Sequence, residues 1–320
     1  MPWDSGTPVL VWFLFTLLLT LWLWFAPPAR KLMAILAWLN YALIQLFFFL
    51  VVDWVVVLYY LRFLCIILVL ALALRLWREL RRDPWLPGRN PWEYTNLVFS
   101  LILLAGLGYL NAQVLRSYDY KSYPGDPLLA LFPLRHGMYV IANGGNGLDG
   151  WGMNNHVHGW FDGETPDDQH MAYGIDVFEM RIRGYLGKNL FPKTFQDYEG
   201  FMDIVYSPCM GVVAYVEDGH PDVPLYSPVD THLGNYVIIQ CVDFYVTLGG
   251  LRNGNILVKI GDRVTLQNEI GFIGNSAAPA IPHLHMHATV GGVTGQPVPM
   301  LHEGTFAVDQ FAVRNKVFIP

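Results

Sequence analysis

Three histidines alternate in the segment PHLHMHA: His283, His285 and His287. On an extended strand, residues two apart project to the same face. Their imidazoles would therefore line one surface. Two more, His156 and His158, alternate in MNNHVHGW, and His170 stands six residues before Asp176 in QHMAYGIDVF. Imidazoles joined by a carboxylate form a donor set that suits zinc, and a catalytic zinc site keeps one position open for water. One exposed histidine needs no such explanation. An alternating triplet preceded by Asn-Ser and Pro points to a metal or catalytic role.

The elements that must position these residues are short. From Leu134 onward the chain shows brief alternating runs: GVVAYV at 211–216, YVII at 236–239, ILVKI at 256–260 and IGFI at 270–273. Turn signals separate them, among them Glu217-Asp218-Gly219, Asn253-Gly254 and Gly261-Asp262. Short strands at close spacing with Gly and Asp turns predict a β-sandwich or open barrel. No long amphipathic helix is expected in this part. Cys209 and Cys241 fall within it, and their spacing leaves open whether they pair.

The first third of the chain is of another kind. Over the 320 residues, 53 % are hydrophobic and only 14 % charged, with a mean hydropathy of +0.33. A soluble chain averages about 25 % charged. The excess of apolar residues lies between residues 8 and 115. A membrane span needs about 20 apolar residues. Val9–Phe25 makes the first, closed by Pro27 and Pro28. Leu32–Trp77 overshoots a bilayer twofold as one helix at about 1.5 Å per residue. It is therefore expected as a hairpin, 32–52 and 55–77, with a tight turn near Asp53. Tyr94–Leu115 makes the fourth.

Charge agrees with four spans. Arg30 and Lys31 follow the first, and Arg75, Arg78, Arg81, Arg82 and Arg89 follow the third. Four spans put both basic groups on the cytoplasmic side. The N-terminus and everything after the fourth span are then outside. Trp85, Trp92 and Tyr94 suit an interfacial belt. Asp53 and Arg62 are expected to snorkel near the outer end of the hairpin, and Cys65 to pack or face lipid. The net charge of −6, with no long basic run away from the membrane, argues against nucleic acid as a partner.

The ordered elements YGIDVF, SPCMGVVAYVEDG, GNYVIIQ, VKIGDRVTLQNEIGFIGNS and PHLHMHA resemble the lysostaphin and LytM-type zinc endopeptidases of cell-wall peptidoglycan, over roughly residues 140–290. The resemblance implies a β-sandwich with a duplicated motif, outside the membrane of a bacterium, holding one Zn2+. It implies Asp176 and His285 as metal ligands and His283 as a catalytic histidine. The third ligand in the common pattern falls here on Ala172. A branch of the family takes it from an upstream Asn-x-His, which Asn154-Asn155-His156 resembles, so His156 is expected, with His158, His170 and His287 as substitutes. A second catalytic histidine of the family falls on Gly250 in VTLGGLRNG. Such a loss typically costs about 10²- to 10⁴-fold in rate.

The expected organisation is thus a four-helix membrane region at 1–115, a linker at 116–139 and an extracytoplasmic metallopeptidase-like β domain at 140–320. The expected functions are cleavage or binding of peptidoglycan peptides. The alternative is a catalytically degenerate peptidase fold that binds a partner or scaffolds a membrane complex, with the lipid bilayer and other membrane subunits as its partners.

Overall fold

The computed structural model describes residues 6–79, 84–88, 90–159, 163–164, 166–229, 231–304 and 307–320; at 6–9, 79, 158–159, 163–164, 166–168, 303–304 and 307–309 it describes the backbone alone. The chain divides into two compact units.

One unit, within residues 5–54 and 60–115, is helical. Its helices are α1 (Gly6–Phe25), α2 (Lys31–Val51), α3 (Phe63–Glu79) and α4 (Pro91–Arg116), the last ending one residue beyond the unit. Among the described residues, three stretches are long and apolar enough to cross a membrane: Lys31–Val51, Tyr59–Arg78 and Pro91–Arg116. In α1 (20 residues) the residues with described side chains, Leu10–Phe25, are also apolar. Polar side chains tie α1 to α2. Trp12 Nε1 donates to Gln45 Oε1 (3.3 Å), Gln45 Nε2 donates to Thr16 Oγ1 (3.1 Å), and the Thr20 and Tyr41 hydroxyls pair at 2.7 Å. Such bonds hold helices together where hydrophobic exclusion from water gives no drive.

Two expectations about the hairpin change. No tight turn occurs at Asp53. The connection from Val52 to Arg62 instead contains two short 3-10 turns, Trp54–Val56 and Tyr59–Arg62. Nor does Arg62 snorkel: it is 7 % exposed, with its guanidinium 4.0 Å from the Phe49 ring centroid. Cys65 is buried. At the other end the basic connections lie together, as their charge suggests. Arg30 Nε pairs with Glu93 Oε2 at 3.1 Å, Lys31 N donates to Pro84 O, and Arg75 Nε donates to Trp24 O at 2.9 Å.

The second unit comprises Val55–Tyr59 and Arg116–Pro320. Its centre is a nine-stranded sheet. Eight of the strands are β1 (Tyr139–Asn143), β2 (Ile175–Glu179), β3 (Gly211–Glu217), β4 (Asn235–Gln240), β5 (Tyr245–Leu251), β6 (Arg263–Val264), β7 (Leu284–Val290) and β8 (Val317–Phe318). Their order is β6-β3-β4-β5-β7-β2-β1-β8, every neighbour antiparallel, and Gln296–Pro297 pairs along the end of β7.

Alternation sorts the two faces of this sheet. Tyr139 and Ile141, Ile175 and Val177, Val237 and Ile239, Val246 and Leu248, and Leu284, Met286 and Ala288 enter one hydrophobic core. Val205, Ile270 and Met300 reach the same core from smaller sheets. The intervening residues of β2 and β7, Asp176, His285 and His287, face the other way. The stretch 116–139 contributes Leu128–Leu129 to a three-stranded sheet, and its Ala130, Phe132 and Leu134 are core residues. Cys209 and Cys241 form a disulfide.

Candidate metal centre

Sheet register places the donors. His285 on β7 is opposite Asp176 on β2, and Asp176 is opposite Asn143 on β1. The loop after β1 returns His156 over the same face. The donor atoms of His156, Asp176 and His285 lie within 4.8 Å of one another. Around Asp176 Oδ1 stand His285 Nδ1 at 2.9 Å, His156 Nε2 at 3.2 Å and His283 Nε2 at 3.9 Å.

Each ring is oriented by its other nitrogen. His156 Nδ1 donates to Asn154 Oδ1 at 2.8 Å, because an amide oxygen only accepts, and this leaves the Nε2 lone pair facing the cluster. Asn154 is itself pinned, its Nδ2 donating to the carbonyls of Gly145, Ala172 and Gly174. His283 Nδ1 donates to Ile281 O at 2.7 Å, and the ring stacks on Phe178. Its Nε2 lone pair is buried, makes no hydrogen bond and points at the cluster. His285 Nε2 meets His287 Nδ1 at 2.9 Å. Asn143 Nδ2 donates to Asp176 Oδ2 at 3.1 Å, while its Oδ1 accepts from Asn155 N and Arg314 Nη2.

Burial pushes the Asp176 carboxyl upward, but the His156 charge and hydrogen bond, the His285 hydrogen bond and the His283 charge outweigh it. The carboxyl stays well below the usual carboxylate range. Burial pulls His285 down to about 4, against the opposing Asp176 hydrogen bond. A carboxylate, two imidazoles and a buried His283 nitrogen that makes no hydrogen bond fit a divalent zinc ion. Unlike a structural site of four protein ligands, three ligands leave room for a substrate atom.

The expected residues thus divide. His156, Asp176, His283 and His285 converge. His287 meets the cluster at His285, and the His170 ring lies 5.3 Å from the His287 ring. His158 is on the strand pair His158–Gly159 with Gly163–Glu164, and its side chain lies outside the described residues. Beside the cluster runs a groove of about 330 Å³ lined by His170, Glu217, His220, His232 and Tyr236, among others. Asn143 and Arg314 were not singled out in the sequence. Nothing local marks them, since their role depends on the pairing of distant strands.

Gly250 has no room for a side chain. Its φ is +78°, and a Cβ there would meet His283 O at 2.5 Å. The neighbouring Gly249 is opposite His285 on β7, and a Cβ on it would stand 3.5 Å from the His285 Cβ.

No protein-family model matches the chain, and no curated protein matches it. Solved structures with similar folds include a zinc-containing peptidase from Vibrio cholerae, 20 % identical over 54 % of this chain and 39 % of that chain, with a TM-score of 0.33. A mutant catalytic domain of EnpA, a prophage-encoded M23 protein from Enterococcus faecalis, is 19 % identical over 54 % and 89 %, at 0.27. A chain of the SpoIIQ-SpoIIIAH pore-forming complex is 18 % identical over 39 % and 59 %, at 0.26. This chain therefore covers less than two thirds of the Vibrio and SpoIIQ-SpoIIIAH chains.

Proposed function

We propose that the chain is a membrane-tethered, zinc-dependent endopeptidase-like protein of the bacterial cytoplasmic membrane that engages peptidoglycan peptides on the outer side. The observation that carries this reading is the convergence of His156 Nε2, Asp176 Oδ1 and His285 Nδ1 within one ion's reach. These three residues would hold one zinc. Zinc bound there acts as a Lewis acid toward a peptide carbonyl and a water. Asn154 fixes the His156 ring, Asn143 holds the second oxygen of Asp176, and His287 takes the outer nitrogen of His285. His283 Nε2, bare and buried beside them, is the atom placed to accept a proton from the attacking water and return it to the leaving amine.

The orientation follows from charge and chain path. The basic groups after α1 and α3 put those connections in the cytoplasm. The connection Val52–Arg62 and everything after α4 are then outside. This holds whether α1 spans or not; if it does, the membrane region has four spans and the N-terminus is outside too. Val55–Tyr59 belonging to the β unit agrees with that side. So does the disulfide, which suits an oxidising compartment.

Gly250 favours a second reading, a degenerate peptidase fold that binds wall peptide or a membrane partner without cutting. A Cβ at Gly250 would meet the His283 carbonyl at 2.5 Å, which supports this reading. Full-length, zinc-loaded protein in detergent, incubated with cross-linked wall peptides, separates the two. Slow cleavage that His283→Ala abolishes is the expected result. Saturable binding without cleavage establishes the degenerate reading. Neither binding nor cleavage overturns both.

A further inference from the structure

The segment 181–193, RIRGYLGKNLFPK, follows β2 and carries Arg181, Arg183, Lys188 and Lys193 with no acidic residue. It folds into two turns. In the first, Gly184 N donates to Arg181 O and Arg181 N donates to Tyr185 O, which puts Ile182 and Arg183 at the tip. The second, 188–193, is closed by the bridge Gly187–Tyr198 and by Lys188 N donating to Asp197 O. Large apolar side chains stand out from both turns: Ile182 is 82 % exposed and Phe191 75 %. All four cations are exposed. Arg181 pairs with Glu199 at 3.1 Å, whereas Arg183 and Lys193 have no ion-pair partner among the described residues.

This surface is fastened to the chain between α2 and α3. Tyr59 N donates to Gly184 O at 2.7 Å, and Val55, Tyr59, Leu186 and Tyr198 share one apolar cluster. Val56, Val57, Leu190 and Phe191 line one groove. Val55 is four residues from the end of α2, and Tyr59 is four residues from the start of α3. If those helices cross the bilayer, residues 181–193 are held within a few residues' reach of where the chain enters it.

We infer that the 181–193 surface seats on the outer leaflet of the bilayer, its apolar tips in the interface and its cations on anionic lipid headgroups. The inference rests on the membrane-spanning reading above. Amphipathic surfaces that pair apolar tips with Lys and Arg bind such interfaces, the apolar tips by burial and the cations by attraction to anionic headgroups. The occupant is lipid and not a protein because both turns carry the same mixture and the tether fixes their depth. One consequence concerns the metal centre. Glu179, the last residue of β2, is three strand steps from Asp176, about 10 Å at 3.3 Å per step. The donors sit at one end of β2 and the 181–193 turns leave from the other, which separates the metal centre from the lipid-seated turns by the length of that strand.

The test uses the full chain in nanodiscs of zwitterionic lipid with a third anionic lipid. Nitroxides are placed at Ile182→Cys, Phe191→Cys, Val242→Cys and Leu70→Cys, and collisions with oxygen and with a water-soluble nickel chelate are compared. Val242, 85 % exposed and also apolar, is the control within the same unit. Oxygen access exceeding nickel access at 182 and 191, with the reverse at 242, is the expected result. Changing Arg183 and Lys193 to Glu should reverse the ratio at 182. Water-like collisions at 182 and 191 with lipid-like collisions at 70 overturn this inference alone. Water-like collisions at 70 as well overturn the spanning reading on which it rests.

Discussion

At the scale of single residues, the centre depends on side chains that donate to the ligands as much as on the ligands. His287 is the clearest case. Its Nδ1 faces the outer nitrogen of His285, so it selects which His285 nitrogen is left for metal. Loss of such a partner typically weakens metal binding 10- to 100-fold. His287→Ala should show that loss in a competition titration with a zinc chelator, and His287→Gln, which keeps an acceptor, should recover most of it. Equal affinities in all three proteins would remove the positioning role. Gly250 yields the opposite kind of prediction. A histidine there would not restore a catalytic group. It would have to hold φ near +78° with its Cβ against the His283 carbonyl. Gly250→His should destabilise the β unit by about 1–3 kcal/mol in denaturant unfolding. Full stability with a gain in cleavage would show that the backbone relaxes. The histidine triplet and Asp176 could be found in the sequence because alternation on a strand shows directly in residue spacing. Asn143 and Arg314 could not, because Asn143 meets Asp176 only through the β1–β2 register and Arg314 reaches Asn143 from 171 residues away.

At the scale of elements, β2 joins the metal centre at Asp176 to an acidic cluster at its far end. There Glu179 lies near Asp203 and Glu199, and Tyr139 donates to Asp203 Oδ2. Burial and then the two neighbouring carboxylates raise Glu179 to about 7, above the ordinary 4.5. A carboxyl raised on folding binds its proton more tightly in the native state. Its contribution is therefore fully present below about pH 4.5 and is lost as pH rises through about 7. Thermal unfolding followed from pH 5 to pH 8 should show falling stability in the native protein and a flatter profile in Glu179→Gln. Parallel profiles would place the pH dependence elsewhere. The β runs at 211–216, 236–239 and 270–273 were legible because Gly and Asp turns bound them, but 256–260 forms no strand: Ile256 and Val258 pack against the core from an irregular segment. The connection between α2 and α3 was not. VVDWVVVLYYL is apolar apart from Asp53, and an apolar run has the same composition whether it meets lipid or a β core. Only the tertiary structure shows that Val55 and Tyr59 enter the core of the β unit.

At the scale of the whole molecule, the account needs the β unit outside and the basic connections inside. Spheroplasts carrying Val242→Cys or Arg78→Cys test this with a maleimide that does not cross membranes. Val242→Cys should react in intact spheroplasts and Arg78→Cys only after permeabilisation. The reverse pattern would invert the orientation and remove wall peptide as a substrate. The two-part division was plain in the sequence, since hydrophobicity and charge change together near residue 115. The pairing of Cys209 with Cys241 was not, because no spacing rule fixes which distant cysteines meet.

The central claim is that His156, Asp176 and His285 hold zinc. It is tested most directly by metal content per chain in full-length protein purified without chelator, beside His285→Ala. Near one zinc per native chain, with little or none in the variant, is the predicted result. No zinc in either protein would contradict the account and leave the donor cluster a feature of the fold alone.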